Sequence, residues 1–246
     1  MAVVGFMGNG GAGKTALVSN LGPLLARDGI RTLLLEGNLY FPDLGSYFGV
    51  RTSYTIYEFL QNPHMDIEWL LYNHPEIRDL YLIVGDVERL PDPRIHFWPL
   101  RSLIRTLKEY FGFILVDFPP GIPIESKPLA DEIDYGVLVV ELNSVPRRNW
   151  LQWLEELVNK YLITVHRKIF IVLNQAIMKG SERRVVESFI VEDLGIPLLG
   201  VLPYDESIVE GVFSGVPTSI FGEVREELLE LAATFEEVFL LKRGLY

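Results

Sequence analysis

The feature that most constrains this chain is the octad GNGGAGKT at positions 8–15, which directly follows a short apolar run at 2–6. The octad matches G-x-x-x-x-G-K-[ST], the pattern of a phosphate-binding P-loop. Such a loop needs glycines because its backbone N–H groups must surround phosphate oxygens without interference from Cβ atoms. The helical pattern that follows the octad supplies the remaining context that the motif requires. We therefore predict a ligand that carries phosphate groups.

The octad also assigns chemistry to individual side chains. Lys14 would bring positive charge to the outer phosphates, and the Thr15 hydroxyl would ligate Mg²⁺. A helix predicted at 14–28 would direct the positive end of its dipole at the same phosphates. The residues predicted to contact the bound nucleotide here are Asn9, Gly10, Gly11, Ala12, Gly13, Lys14, Thr15 and Ala16.

Length and composition narrow the class of protein. The 246 residues suffice for a large α/β domain with a buried core, and we predict a single domain over 1–246. The chain has no cysteine, which excludes disulfide bonds, thiolate metal sites and a cysteine nucleophile. Neither a basic leader nor an apolar run of membrane-spanning length is visible, so we expect a cytoplasmic protein. The net charge of −11 argues against strong DNA binding by the surface as a whole.

Apolar runs of strand length alternate with helical patterns along the chain. The predicted strands are 2–7, 31–36, 79–84, 112–117, 136–142, 168–173 and 198–202. The predicted helices are 14–28, 54–61, 66–73, 97–110, 146–162, 181–194, 205–214 and 222–242. The strands are continuously apolar, as in a sheet that helices cover on both faces. The pattern predicts an α/β fold with a single doubly wound, mostly parallel sheet, and a surface loop at 90–99.

Two polar residues stand where predicted strands end, and ligands of such sheets bind beyond the carboxyl ends of the strands. Asp117 follows an apolar strand, as in a Walker B motif whose carboxylate holds Mg²⁺ opposite the P-loop hydroxyl. The alternative is an aspartate that starts a turn. Asn174 could hydrogen-bond a purine edge, although asparagine is also a common turn residue. We predict Thr15 and Asp117 as metal ligands and Asn174 as a base contact.

Together these motifs resemble those of the ParA/MinD family of P-loop ATPases over nearly the whole chain. The matching segments are the P-loop, LLLEGNLYFPDL at 33–44, TIYEFL at 55–60, ILVDFPPG at 114–121, VLNQ at 172–175 and LLGVLPYDESIVEGVFSGVPT at 198–218. The resemblance implies ATP or ADP with Mg²⁺ as the ligands. It also implies that Pro203, Tyr204 and Asp205 lie near the adenine. No Asn-Lys-x-Asp guanine motif is present, which favours ATP over GTP.

The chain departs from the family pattern at positions that bear on hydrolysis. Asn9 stands where the family has the signature lysine of its deviant P-loop, which crosses a dimer interface to the partner's nucleotide. Glu36 and Asn38 occupy the positions of two aspartates, the second of which positions the attacking water. Asn38 cannot accept a proton as a carboxylate does, whereas Glu36 could still reach the Mg²⁺ shell through water. With Lys14 they form the predicted catalytic set, and we expect nucleotide binding with weak or absent ATP hydrolysis.

Three functional hypotheses fit these observations. The first is an ATP-binding, Mg²⁺-dependent switch that positions or organises a larger assembly, of the partitioning, division-site, or motility or secretion-apparatus type. The second is a degenerate scaffold of the same fold that binds nucleotide without hydrolysing it. The third is a small-molecule ATP-dependent ligase or synthetase, which would need a polar substrate pocket that the sequence does not display.

The resemblance also implies a homodimer and a protein partner, and two surfaces bear on docking to DNA or membrane. Basic pairs at 147–148, 167–168 and 183–184 could contact DNA, or could be ordinary solvated positions. The final helix carries an apolar stripe formed by Leu228, Leu231, Ala232, Phe235 and Phe239. The stripe fits a face packed on the core, and a membrane-docking segment that extends to 246 is the alternative. A cytoplasmic protein peripheral to membrane or nucleoid is the resulting expectation.

Overall fold

A sheet of eight strands forms the centre of the computed structural model, which describes residues 1–89, 92, 94–178, 180–222 and 224–241. The strands are β1 (Ala2–Met7), β2 (Thr32–Glu36), β3 (Tyr72–Asn73), β4 (Leu80–Ile83), β5 (Phe113–Asp117), β6 (Tyr135–Val140), β7 (Lys168–Ala176) and β8 (Leu198–Pro203). Their order across the described sheet is β3-β4-β2-β5-β1-β6-β7-β8. Each neighbouring pair runs parallel except β3 and β4, which are antiparallel. The predicted doubly wound, mostly parallel α/β sheet is confirmed.

Helices connect the strands and cover both faces of the sheet. They are α1 (Lys14–Arg27), α2 (Leu44–Tyr47), α3 (Ile56–Gln61), α4 (Pro99–Leu107), α5 (Lys127–Ala130), α6 (Trp150–Val165), α7 (Ser181–Ser188), α8 (Glu206–Ser214), α9 (Thr218–Phe221) and α10 (Glu226–Glu236). Short 3₁₀ turns lie at Ile67–Leu70, Ile124–Ser126 and Arg147–Asn149, and π-helical turns at Phe189–Asp193 and Glu237–Leu241 extend α7 and α10. The sequence patterns do not predict α2, α5 or α9, because four residues are too few to display a helical period.

The prediction of a helix at 66–73 is wrong. This segment forms a 3₁₀ turn and then β3, in which Tyr72 pairs with Leu82 of β4. Leu70 is the buried residue of the turn, and Leu71 is already extended. Antiparallel pairing with the edge of β4 satisfies backbone groups that a longer helix would carry away from the sheet.

Several predicted boundaries shift without a change in the type of element. α4 begins at Pro99 rather than at 97, and α6 begins at Trp150 after its 3₁₀ turn. β6 ends at Val140 rather than at 142, and the final helix begins at Glu226 rather than at 222. Of the loop predicted at 90–99 and the helix predicted at 222–242, the residues that lie outside the described part of the chain are Leu90, Pro91, Pro93, Glu223 and Lys242.

Two apolar layers hold the helices against the sheet. On one face, Ile114 of β5 lies in a buried cluster with Leu103 of α4 and Leu154 of α6. On the other face, Leu115 of β5 lies in a buried cluster with Leu21 of α1. Because successive side chains of a strand point to opposite faces and both faces are covered, each strand is apolar at consecutive positions.

The apolar stripe of the final helix faces the protein interior. Its members Leu228, Leu231, Ala232, Phe235 and Phe239 are all buried. Phe235 stacks on Phe6 of β1 with ring centroids 5.7 Å apart, and Phe239 lies 5.0 Å from the ring of Phe170. The stripe is therefore a core-packing face, and residues 242–246 of the alternative membrane segment lie outside the described residues. Within the described ranges, no helix has the length and apolar character needed to cross a bilayer.

Replacing Phe235 by alanine should destabilise the protein by about 3–5 kcal/mol, because removing a buried aromatic ring leaves a cavity. Leu229 on the same helix is 49% exposed, so Leu229→Ala should change the free energy of unfolding by less than about 0.5 kcal/mol. Urea unfolding of both variants measures the difference. Equal and small effects would show that α10 does not contribute to the core.

Candidate functional site

The predicted P-loop connects β1 to α1 at the carboxyl edge of the sheet. α1 begins at Lys14, and Gly13 precedes it in a left-handed conformation with φ +80°. A Cβ atom on Gly13 would lie 2.5 Å from Nδ2 of Asn174 and 3.1 Å from Nε2 of Gln175. Position 13 therefore requires glycine both for its backbone conformation and for the close approach of β7.

The ammonium group of Lys14 is buried inside the loop. Its Nζ donates hydrogen bonds to the carbonyl oxygens of Asn9 at 3.0 Å and Gly8 at 3.3 Å. Burial lowers the pKa of Lys14, and the negative charge of Asp117 opposes this shift. Phosphate oxygens can satisfy such a charge better than neutral carbonyls do, because hydrogen bonds between charged groups are stronger.

Two amide side chains at the end of β7 hold the loop from the opposite side. Nδ2 of Asn174 donates to the carbonyl oxygen of Ala12 at 2.8 Å, and Nε2 of Gln175 donates to that of Gly11 at 2.9 Å. Asn143 donates to the carbonyl oxygen of Gln175 at 2.6 Å. Gln175 has φ +55°, a conformation that costs a non-glycine residue about 1 kcal/mol or more. Sequence reasoning misses Gln175, although its place beside Asn174 at a strand end is a signal that could have found it.

Thr15 and Asp117, the predicted metal ligands, are in direct contact. Oγ1 of Thr15 donates to Oδ2 of Asp117 at 2.6 Å, and the buried Oδ1 has no hydrogen-bond partner among the described residues. Burial raises the pKa of Asp117 to about 6, while the bond from Thr15 and the charge of Lys14 oppose the increase. The hydroxyl of Thr15 and the carboxylate of Asp117 are hard oxygen donors, and Oδ1 of Asp117 has no partner among the described residues. This arrangement fits a magnesium ion that takes its other ligands from phosphate and water. In the described ranges, no cluster of three or more His, Cys, Asp or Glu side chains could hold a metal ion.

Glu36 is buried at the end of β2, and its carboxylate organises the loop that follows. Oε1 accepts a hydrogen bond from the backbone N–H of Asn38 at 2.9 Å, and Oε2 accepts one from that of Leu44 at 3.0 Å. Burial and the nearby charge of Asp117 raise the pKa of Glu36 well above its ordinary value. Both oxygens of this predicted catalytic residue thus support the loop at 37–44.

The side chain of Asn38 closes a turn within the same loop. Nδ2 donates to the carbonyl oxygen of Phe41 at 2.5 Å, and Oδ1 accepts from the N–H of Phe41 at 3.2 Å. The loop is anchored to the sheet because Gly37 donates its N–H to the carbonyl oxygen of Asp117 at 2.9 Å. The carbonyl oxygen of Gly37 accepts a hydrogen bond from Oγ of Ser126 at 2.8 Å. Asn38 therefore lies at the site with both polar atoms of its side chain engaged.

The residues predicted to lie near the base follow β8. Pro203 ends the strand, and Tyr204 is 45% exposed. Asp205 caps α8, since Oδ1 accepts a hydrogen bond from the N–H of Ser207 at 3.0 Å. Oδ2 of Asp205 accepts from Nε of Arg225 at 2.8 Å. Arg225, which sequence reasoning does not identify, ties the segment before α10 to this side of the site.

One cavity of about 640 Å³ joins these groups, a volume typical of small-molecule sites. The predicted site residues that line it are Gly10, Gly11, Gly13, Lys14, Thr15, Ala16, Glu36, Asn38, Asp117, Asn174, Pro203, Tyr204 and Asp205. Asn9 and Ala12 belong to the loop but not to the lining. Asp43, Gln175 and Arg225 line the cavity without having been predicted.

A sequence profile of the CobQ/CobB/MinD/ParA nucleotide binding domain family matches residues 3–218. The chain belongs to this family. The match includes the P-loop, Asp117, Asn174 and the segment after β8, and it confirms the resemblance to ParA/MinD proteins at the level of the family. The protein is accordingly a nucleotide-binding P-loop protein with the fold described above.

Individual relatives support the same assignment. Septum site-determining protein MinD of Synechocystis sp. is 28% identical over 216 residues, which cover 85% of this chain and 78% of that protein. Tyrosine-protein kinase CpsD of Streptococcus pneumoniae is 29% identical over 173 residues, which cover 68% of this chain and 75% of that protein. The structure of septum site-determining protein MinD of Pyrococcus horikoshii complexed with Mg-ADP shares the fold. Its TM-score is 0.76 at 23% identity, with coverage of 98% of this chain and 96% of that one.

Gly13→Ala should weaken nucleotide binding by about tenfold or more, because the new Cβ atom would displace the amides of Asn174 and Gln175 from the P-loop. Gly29 is a matched control, since it has φ +83° and open space around its Cβ position. Both variants should lose about 1 kcal/mol of stability through the left-handed conformation. Calorimetric titration with ADP and thermal unfolding measure the two effects. Equal ADP affinity in the two variants would contradict the contact between P-loop and β7.

The raised pKa of Asp117 predicts that the ligand-free protein loses stability as pH rises. The pKa of Asp117 is about 6 in the folded state and 3.8 in the unfolded chain, so the folded state binds the proton more tightly. Protonation of Asp117 therefore stabilises the folded state fully below pH 3.8, and this stabilisation is lost as the pH rises through 6. Between about pH 5 and pH 7.5, the melting temperature of the wild type should fall relative to that of Asp117→Asn by about 2–4 °C for each kcal/mol lost. Thermal unfolding without nucleotide or Mg²⁺ checks this, and parallel pH profiles would refute it.

Proposed function

We propose that this protein binds ATP or ADP with Mg²⁺ and acts as a ParA/MinD-like switch. Its nucleotide state would control contact with a partner and thereby position or organise a larger assembly. The observation that carries this proposal is the convergence of Lys14, Thr15 and Asp117 in one cavity with the P-loop backbone. Relatives named MinD, one of them complexed with Mg-ADP, support the same class of ligand.

In the proposed complex, the phosphates take over contacts that the loop makes with itself. Nζ of Lys14 leaves the carbonyl oxygens of Gly8 and Asn9 for the outer phosphates. The N-terminus of α1 stabilises the same negative charge. Thr15 and Asp117 would hold magnesium, which neutralises phosphate charge when it is bound. The amides at the end of β7 keep the loop in place during this exchange.

We propose that ATP hydrolysis is slow. Asn9 has no positive charge to offer a partner's nucleotide, and the loss of such a cation costs orders of magnitude in phosphoryl transfer. Asn38 is a neutral amide, so it cannot accept a proton from water as a carboxylate would. Binding is expected to persist because Lys14, Thr15 and Asp117 are all present.

A nucleotide-binding scaffold without hydrolysis is the second candidate. The observation that favours it is that both oxygens of Glu36 and both polar atoms of Asn38 are engaged within their own loop. A ligase or synthetase has less support. Beyond the phosphate side, the cavity is lined mainly by apolar residues of α8, of the segment before α10 and of α10 itself, namely Ile208, Val209, Val212, Phe213, Val224 and Leu228.

Two exposed phenylalanines on the cavity lining support the proposed contact with a partner or a second copy of the chain. Phe41 is 75% exposed on the loop after β2, and Phe213 is 87% exposed on α8. The helix that follows this loop, α2, lies beside α8, because a Cβ atom on Gly49 after α2 would lie 3.5 Å from the carbonyl oxygen of Gly215 after α8. A change in the conformation of the loop after β2 on nucleotide binding would therefore alter the packing of α2 against α8.

Docking on DNA has less support than docking on a protein. Arg147 pairs with Glu182 at 2.5 Å, and Arg183 pairs with Glu187 at 2.6 Å. The guanidinium group of Arg167 donates to backbone carbonyl oxygens. Since several of the predicted basic side chains are engaged within the protein, a cytoplasmic protein that docks through a protein partner is the form of the proposal that we favour.

Lys14→Ala should weaken Mg·ATP binding by about 30- to 150-fold, because it removes a charge-assisted contact worth about 2–3 kcal/mol. Lys160→Ala is the control, since Lys160 is exposed on α6 and does not line the cavity. Isothermal titration calorimetry measures both affinities. The proposed function is wrong if the wild type binds Mg·ATP no better than Lys14→Ala does.

Phosphate release under steady-state conditions separates the two candidates. Turnover that requires Mg²⁺ and disappears in Lys14→Ala supports the switch, whereas binding without turnover supports the scaffold.

A further inference from the structure

The loop after β2 lacks a carboxylate at position 38, where the family resemblance implies the residue that positions the attacking water. Position 38 holds an amide that is bonded to the backbone of Phe41. Glu36 has its carboxylate, but each oxygen accepts a backbone N–H from within residues 38–44. Position 38 therefore has no carboxylate, and the carboxylate of Glu36 is fully buried and holds the loop, whereas slow hydrolysis would still need a carboxylate at the attacking water.

Asp43 does offer a free carboxylate in the same cavity. It lines the cavity together with Lys14 and Asp117. It precedes α2 at the N-cap position without making a capping bond, and no hydrogen bond or ion pair engages its carboxylate among the described residues. The side chain of an aspartate at such a position usually accepts a hydrogen bond from the first turn of the helix. The absence of this bond at Asp43 therefore requires an explanation.

Asp43 shares the cavity lining with Glu36 and Asp117, and its charge acts on both of these carboxylates. Its negative charge adds to the effect of burial in raising the pKa of Asp117 and of Glu36. Tyr47, one helical turn further along, also lines the cavity, and burial and the charges of Asp43 and Asp117 raise its pKa. Charges that influence one another in this way lie near one another.

The hydrogen bonds of the loop explain how a residue five positions after Asn38 reaches this place. The bond from Leu44 to Oε2 of Glu36 draws the end of the loop back to the end of β2. The bond from Gly37 to Asp117 fixes the beginning of the loop beside β5. Asp43, the neighbour of Leu44, is thereby carried to the cavity lining while Asn38 is held in its turn.

We propose that Asp43 is the catalytic carboxylate of the proposed ATP hydrolysis, in the role that Asn38 cannot fill. Its carboxylate accepts a hydrogen bond from the attacking water and takes up the proton that the water loses. A bond forms between the water oxygen and the γ-phosphorus, and the bond from that phosphorus to the β–γ bridging oxygen breaks. ADP leaves with the electron pair, inorganic phosphate is released, and the proton passes to solvent. This inference rests on the proposed binding of ATP.

Phosphate release and ATP affinity, measured for matched variants of the full chain, test the role of Asp43. Asp43→Asn should lower kcat by about a hundredfold, the usual contribution of a positioned general base, and leave the Kd for Mg·ATP within about twofold. Asp43→Ser should behave alike and remain folded, because serine is itself a good N-cap residue. Asp193→Asn, an exposed carboxylate outside the cavity lining, should leave kcat unchanged.

A rescue experiment distinguishes a catalytic carboxylate from a structural one. In the Asp43→Asn background, Asn38→Asp should restore turnover by about tenfold or more, because it returns a carboxylate to the opposite end of the loop. Turnover of Asp43→Asn within about twofold of the wild type would overturn the proposal, as would a wild type without Lys14-dependent turnover. If either result came with intact ATP affinity, the role of Asp43 would be overturned and the proposed nucleotide binding would stand. A wild type without ATP affinity would overturn both the role of Asp43 and the proposed nucleotide binding.

Discussion

The site depends on the parallel pairing of β1 with β5 at the centre of the sheet. In this register Phe6 pairs with Asp117, so the strand that leads into the P-loop and the strand that ends in Asp117 stop at the same level. Thr15, in the first turn of α1, then meets Asp117 at 2.6 Å. A slip of one residue would turn the side chains of β1 to the wrong faces and separate these groups. Burial of β1 on both faces opposes such a slip.

Burial of charge at this edge of the sheet is what prepares the site for a ligand. Lys14, Glu36 and Asp117 are all buried, and a buried charge is unfavourable unless other groups compensate it. Lys14 has two carbonyl oxygens and Glu36 has two backbone N–H groups, but one oxygen of Asp117 has no partner in the described structure. A divalent cation with phosphates would complete the compensation. A ligand that binds the folded state in this way also stabilises it.

Much of the fold and the phosphate side of the site could be predicted, because they rest on local patterns. The octad at 8–15 identifies a P-loop through the spacing of its glycines, lysine and threonine. Each long strand is visible in the sequence as an apolar run. Asp117 and Asn174 could be placed at the same edge of the sheet, because parallel strands end at one edge and residues far apart in sequence converge there. β3 could not be found, because two residues show no period and their conformation follows from pairing with β4.

The sequence by itself determined the phosphate loop, the class of sheet and the family, since these follow from patterns of neighbouring residues. Only the tertiary structure decided which side chains around the loop are free to act. Glu36 and Asn38 have the right positions, yet hydrogen bonds to Leu44 and Phe41 engage them. No pattern in the sequence assigns a role to Asp43, yet the folding of the same loop places it on the cavity lining without a capping bond. The reason is that hydrogen bonds to the backbone depend on how the loop folds and not on the identity of the residues that donate them.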